Sequence, residues 1–295
     1  KEYSTHPIQV IKKEEINKMK EGSILLHLSD HNAYAEDQKI FNGVKNVKGA
    51  SFLRACLIFD EVFIGPYWRS GDSCLGCAFK RVQKNNPESD FILFSDIETE
   101  VPSEIKHRLS RAQELIDQAI INREEWSNRM IHVAEDQTII SNLLPDYQCE
   151  FCTPLQHHSI ENAQIIFENK KKANKNIYRH QAGFELSGFQ KYTDRNFGFF
   201  KHQFIEHISE HGPLVCVETA VDGVTESGWG RTYDLEHSKT GAYLEVLERY
   251  ANSSNRRYSK LKNASYDELG EQAVHPYQFT LHNRSYRDRS YTFVK

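Results

Sequence analysis

Two cysteine pairs, Cys74-Leu75-Gly76-Cys77 and Cys149-Glu150-Phe151-Cys152, constrain this chain more than any other feature. Two residues between thiolates let both sulfurs face one ion while the intervening amides turn inward, and two such knuckles complete a tetrahedron. A shell of four sulfurs leaves no open coordination position, so the expected metal is structural zinc that does not activate water. Residues 78–148 lie between the knuckles, a longer span than in a zinc ribbon, so the site would staple distant parts of one domain. A redox C-x-x-C or reduced core thiols are the competing readings, and His157 and His158, close behind Cys152, are alternative ligands. Cys56 and Cys216 sit in apolar runs and read as buried packing residues.

Six cysteines in 295 residues is not a disulfide-dense composition, and it agrees with a reducing, cytoplasmic setting. Apolar residues make up 39% and aromatics 12%, enough for a real core. With 41 acidic and 37 basic side chains the net charge is −4, which argues against general affinity for nucleic acid or anionic membrane. No apolar run reaches the roughly 20 residues of a membrane span.

The length suggests two domains in an α/β (α+β) chain, with a boundary near residue 180. Residues 11–22 read as a short exposed helix and 23–28 as a strand; Tyr34 to Gly49 is polar and reads as loop. The runs ACLIF and EVFIG, closed by Gly65-Pro66, are β-rich, as are 91–97 and 131–135. Ser103 opens an amphipathic helix over 103–124, with Ile105, Leu109, Ala112, Leu115, Ile116 and Ile120 at helical spacing. The lysine-rich 170–176 reads as a solvated linker.

The second part is richer in glycine. SGWGRT (227–232) reads as a glycine-flanked turn whose amides and arginine could face phosphate. A helix follows, capped by Asp234 or Ser238, with Leu244, Leu247 and Ala251 as its apolar stripe beside Tyr243 and Tyr250. Glu245 and Glu248 fall on one face of it, with Arg249 next. Two such carboxylates suit magnesium, a hard ion that keeps sites for phosphate oxygens; a solvated acidic face is the blander reading.

In this order the features resemble one family. GWGRT followed by SKTGAYLEVLERYA is similar to the nucleotide-binding start of a YcaO domain, with its E-x-x-E-R helix, and YDELGEQAVHPYQF resembles the segment after that helix. His275 replaces the acidic residue often seen there before proline. FIGPYWRSGDSCLGCAFKR and QCEFC are similar to the zinc half of the ubiquitin-activating-like domain that accompanies YcaO in azoline-forming peptide cyclodehydratases.

The resemblance implies a zinc-stapled ubiquitin-activating-like domain over 1–180 and an incomplete YcaO domain over 181–295. It implies ATP-dependent cyclodehydration of Cys, Ser or Thr in a ribosomal precursor peptide to thiazoline or oxazoline. Zinc would be held by Cys74, Cys77, Cys149 and Cys152, and magnesium by Glu245 and Glu248. Arg249 would support phosphate or the carboxylates, Arg231 would face a phosphate, and Ser238 would shape the nucleotide pocket. Gly241 stands where many relatives carry serine, so one family contact to ATP has no matching hydroxyl. A leader-binding protein, a dehydrogenase and a second copy of the chain are further partners the resemblance leaves open, and it names no catalytic residue beyond these ligands. The family domain continues well past Lys295, so the chain is expected to lack full activity alone. The competing function is a non-catalytic zinc scaffold that binds a precursor peptide or partner enzyme.

Overall fold

The first sheet is organised around a strand that has no wet face. In the computed structural model, which describes residues 11–30, 34–58, 60–87, 105–152, 169, 185–209, 212–221, 223–253 and 263–274, a short 3-10 turn at Lys13–Lys18 leads into β1 (Ile24–Ser29). Helix α1 (Tyr34–Val44) then crosses over to β2 (Ser51–Ile58), which pairs parallel to β1. Hairpin partner β3 (Glu61–Ile64) is antiparallel to β2. Helix α2 (Leu75–Asn85), helix α3 (Lys106–Ile121) and the single turn α4 (Arg123–Trp126) precede the hairpin β4 (Arg129–Val133) and β5 (Thr138–Asn142). The strand order is β1-β2-β3-β4-β5.

Strand β2 is buried from Ser51 to Leu57. Its period of two sends Leu53, Ala55 and Leu57 to a core shared with Ile105, Ala112, Leu115 and Ala119 of the α3 side. Phe52 faces the other way, into a core with Ile40, Phe41 and Val44 of α1 and with Cys74, Cys77 and Cys149. A strand covered on both faces reads as a continuous apolar run, which is why ACLIF was a clear signal.

The second sheet is an antiparallel meander. After the short helix α5 (Leu186–Gln190) come β6 (His202–Ser209), β7 (Gly212–Val221) and β8 (Val224–Arg231), in that spatial order. Helix α6 (Leu235–Ser253) lies across one face, where Val215 and Val217 meet Ala242, Tyr243 and Val246. Both sheets belong to one compact unit that takes in the described residues up to Ser253. Residues 263–274 belong to a second unit and hold the turn α7 (Tyr266–Leu269), closed by a reciprocal Ser265–Glu268 capping box.

Several expectations need correction. Tyr34 to Gly49 is mostly helix. Asp37, Ile40, Phe41 and Val44 are its buried positions, a spacing of three, four and seven whose first member is charged. Asp37 tolerates full burial because Arg54 Nε lies 2.6 Å and His27 Nδ1 2.8 Å from its carboxylate. SGWGRT is not a turn, since residues 227–231 are strand. A Cβ on Gly228 would overlap the Ala242 carbonyl oxygen, and one on Gly230 that of Ser238. These glycines let α6 settle onto the sheet. The buried stripe of α6 runs through Ser238, Ala242, Tyr243 and Val246, while Leu244 is 47% exposed and Ala251 is exposed. Residue 103, the strand expected at 91–97, the run 170–176, the boundary near 180, His157, His158 and His275 lie outside the described residues.

Candidate metal centre and carboxylate helix

Cys74 is the N-cap of α2 and Cys77 lies in its first turn, where the amides of Cys77 and Ala78 both donate to the Cys74 carbonyl. The approach to this knuckle is fixed by Asn128, in the left-handed conformation at φ 58°, whose Oδ1 accepts from Ser73 N at 2.6 Å. The second knuckle starts at Asp146. Its carbonyl accepts from Cys149 N at 2.9 Å, and its own amide donates to Cys77 Sγ at 3.3 Å. Gly76 has a steric reason: any Cβ there would run into the Phe151 ring.

The four sulfurs converge. Cys74 Sγ is 3.9 Å from Cys77 Sγ and 3.4 Å from Cys149 Sγ, Cys77 Sγ is 3.3 Å from Cys152 Sγ, and all four lie within 4.8 Å of one another. Tetrahedral Zn–S bonds of about 2.3 Å place sulfurs about 3.8 Å apart. Cys74, Cys77 and Cys149 are buried, Cys152 is half-buried, and all six cysteines are free of disulfides. Hydrogen bonding to Cys149 foremost, with burial added, pushes the Cys74 and Cys77 thiols far up. The bond to Cys152 raises Cys149, but donation from Cys74 and Cys77 outweighs it and brings Cys149 down to about 7. A divalent cation lets all four ionise, so the donor set fits a metal ion with soft-ligand preference.

The carboxylate helix is wetter. Asp234 caps α6: its Oδ1 accepts from His237 N at 2.9 Å, and this bond foremost holds its carboxyl below the usual range. Ser238 is fully buried, and its Oγ accepts from Thr232 N at 2.8 Å, which pins the end of β8 to the first turn of α6. Arg231 is the exposed last residue of β8. On the next turns Glu245 Oε2 accepts from Trp229 N at 2.7 Å, and Oε1 accepts from Arg249 Nη2 at 2.6 Å and Nε at 3.2 Å. Glu248 is exposed one turn on.

The expected site residues therefore fall into three groups. Cys74, Cys77, Cys149 and Cys152 meet at one point. Glu245 and Arg249 pair directly, with Glu248 on the same face. Ser238 and Arg231 belong to the β8–α6 junction, where Ser238 already spends its hydroxyl on Thr232. The half-buried Glu245 and the exposed Glu248 are a donor set of the kind magnesium takes. Asp146 and Asn128, which position the knuckles, were not anticipated: an Asp before a C-x-x-C and an Asn before a strand carry no periodic signal.

Residues 229–295 match the model of the YcaO cyclodehydratase family, described as ATP- and Mg2+-binding. Among solved structures, the fold is similar to a heterocyclase in complex with substrate and cofactor, at TM-score 0.64 and 16% identity, over 86% of this chain and 38% of that one. It is also similar to the heterocyclase TruD, at TM-score 0.53 and 15% identity, over 86% of this chain and 34% of that one. The chain thus spans little more than a third of the length of these two heterocyclases. No curated protein matches. The fold is a mixed α/β arrangement of the heterocyclase kind, in which a four-cysteine cluster able to bind a metal and a YcaO-type segment occur in one polypeptide.

Proposed function

We propose that this chain belongs to an ATP-dependent peptide cyclodehydratase that works in the cytoplasm on a ribosomally made precursor peptide. The observation that carries the reading is the coincidence of the YcaO match with the helix that presents Glu245, Glu248 and Arg249. In this reading a Cys, Ser or Thr side chain of the peptide adds to the preceding backbone carbonyl. The resulting oxyanion takes the γ-phosphoryl group of ATP, and phosphate leaves to give the five-membered azoline with net loss of one water. Little covalent work falls to the protein; positioning and charge neutralisation do most of it.

Glu245 and Glu248 would hold magnesium, which supplies neutralisation of the phosphate charge. Arg249 would steady the Glu245 carboxylate in the empty state and turn toward phosphate when nucleotide arrives. Arg231, exposed at the mouth of the β8–α6 junction, would meet a phosphate oxygen, and Ser238 would keep that junction in register. Cys74, Cys77, Cys149 and Cys152 would hold structural zinc.

The test uses the natural full-length polypeptide with its precursor peptide. Phosphate release should require both peptide and magnesium, and each ring should lower the peptide mass by one water. Peptide binding with no phosphate release and no mass change would replace this reading with that of a zinc scaffold.

A further inference from the structure

Between the sulfur cluster and helix α6 lies a buried group of charges that the chemistry above does not use. Asp146 is 1% exposed and Arg81 3%. The Asp146 Oδ2 atom accepts from Lys84 Nζ at 2.9 Å and lies 3.6 Å from Arg81 Nη2, while Oδ1 accepts from Gln148 N at 2.8 Å. Two cations thus share one carboxylate. Both cations also lie over aromatic faces: Arg81 over the Phe199 ring at 5.0 Å, and Lys84 over the Tyr147 ring at 5.2 Å.

Both rings then meet the same residue. Tyr250 of α6 packs edge-on against Phe199 at 4.6 Å and against Tyr147 at 6.0 Å. Tyr250 immediately follows Arg249. At the other end, the Asp146 amide donates to Cys77 Sγ, and Asp146 and Tyr147 lead directly into the second knuckle. Helix α2 makes a parallel connection. Its first turn carries the first knuckle, and at its last residue Asn85 Nδ2 donates to the carbonyls of Asn196 and Gly198, just before Phe199.

We propose that Arg81, Asp146 and Tyr147 are positioning residues that transmit the geometry of the sulfur cluster to Tyr250 and so fix the rotation of the Glu245–Glu248–Arg249 face. A helix can be held on a sheet by its apolar stripe and still roll by a fraction of a turn. Two rings against one tyrosine, each backed by a cation (Arg81 on Phe199, Lys84 on Tyr147), remove that freedom. The metal centre would therefore act on catalysis without touching ATP, through the Asp146–Tyr147 segment that leads into Cys149. This inference rests on the reading of α6 as the nucleotide and magnesium helix.

The test compares Arg81→Met, Arg81→Lys and Tyr147→Leu in the full-length protein, with metal content, hydrogen exchange over residues 242–253, and separate KM values for Mg-ATP and peptide. Metal content should stay as in the wild type. Exchange in α6 should rise in Arg81→Met and Tyr147→Leu. KM for Mg-ATP should rise about tenfold, equal to about 1.4 kcal/mol, while KM for peptide stays put, and Arg81→Lys should recover part of both effects. Wild-type exchange over 242–253 in both Arg81→Met and Tyr147→Leu would overturn the inference. A wild type that uses no ATP at all would instead sink the proposed function, and the exchange data would still decide whether the helix is held in this way.

Discussion

In the sulfur cluster four donors from two remote segments converge, and three of the four are buried. On α6 the donors are two carboxylates one turn apart on an exposed face. One is already occupied by Trp229 N and Arg249, and the other is exposed. The first arrangement is able to close on an ion with all four ligands supplied by the chain. The second leaves room for a ligand that brings its own charge. On the reading proposed above, the contrast separates a metal that holds segments together from one that meets phosphate, as donor chemistry and burial would direct.

The comparison can be broken most severely at the sulfur end. Cys149→Ser should abolish metal binding and strip the fold of stabilisation on the order of 10 kcal/mol, seen as loss of zinc by elemental analysis and of a cooperative melt. A variant that melts normally without metal would make the cluster a mere group of core thiols. At the carboxylate end, Glu245→Gln keeps an acceptor for Trp229 N but halves the charge. It should lower peptide-dependent ATP turnover by about 100-fold, about 2.7 kcal/mol, with Tm and zinc content unchanged. Turnover retained in this variant would remove the magnesium assignment.

Smaller effects sharpen the boundary between packing and function. Gly230→Ala should cost about 1–3 kcal/mol through overlap with the Ser238 carbonyl, read as a fall in Tm. A neutral result would return the glycines to the phosphate-binding role the sequence suggested. Leu244→Ala, at the exposed position that the sequence assigned to the core, should change stability by no more than about 0.5 kcal/mol, measurable by urea melts.

What could be read from the residues alone follows the same division. The knuckles were legible because two thiolates at fixed spacing have few other uses. Strands β2 and β3 were legible because apolar runs ended by Gly-Pro have few other folds. Helix α1 was hidden because its buried stripe begins with Asp37, and the partners that stabilise that burial, Arg54 and His27, lie on other elements. Strand β8 was hidden because glycine suits both a phosphate loop and a close helix crossing, and the choice depends on a helix that arrives later in the chain. The stripe of α6 was right in part: Tyr243, Leu247 and Tyr250 pack in this core, but Leu244 is exposed and Ala242 is the residue small enough to meet the sheet. Asp146 and Arg81 gave no periodic cue at all, since their meaning lies in contacts across the fold.

The central claim concerns where an oxygen atom goes. If the peptide carbonyl before the cyclised residue carries a heavy oxygen isotope, phosphorylation of that oxygen sends the label into inorganic phosphate. Labelled phosphate, one per ring formed, is expected with the full-length wild-type protein, and about 100-fold less of it in the same time with Glu245→Gln. Label released as water, with unlabelled phosphate, would contradict it.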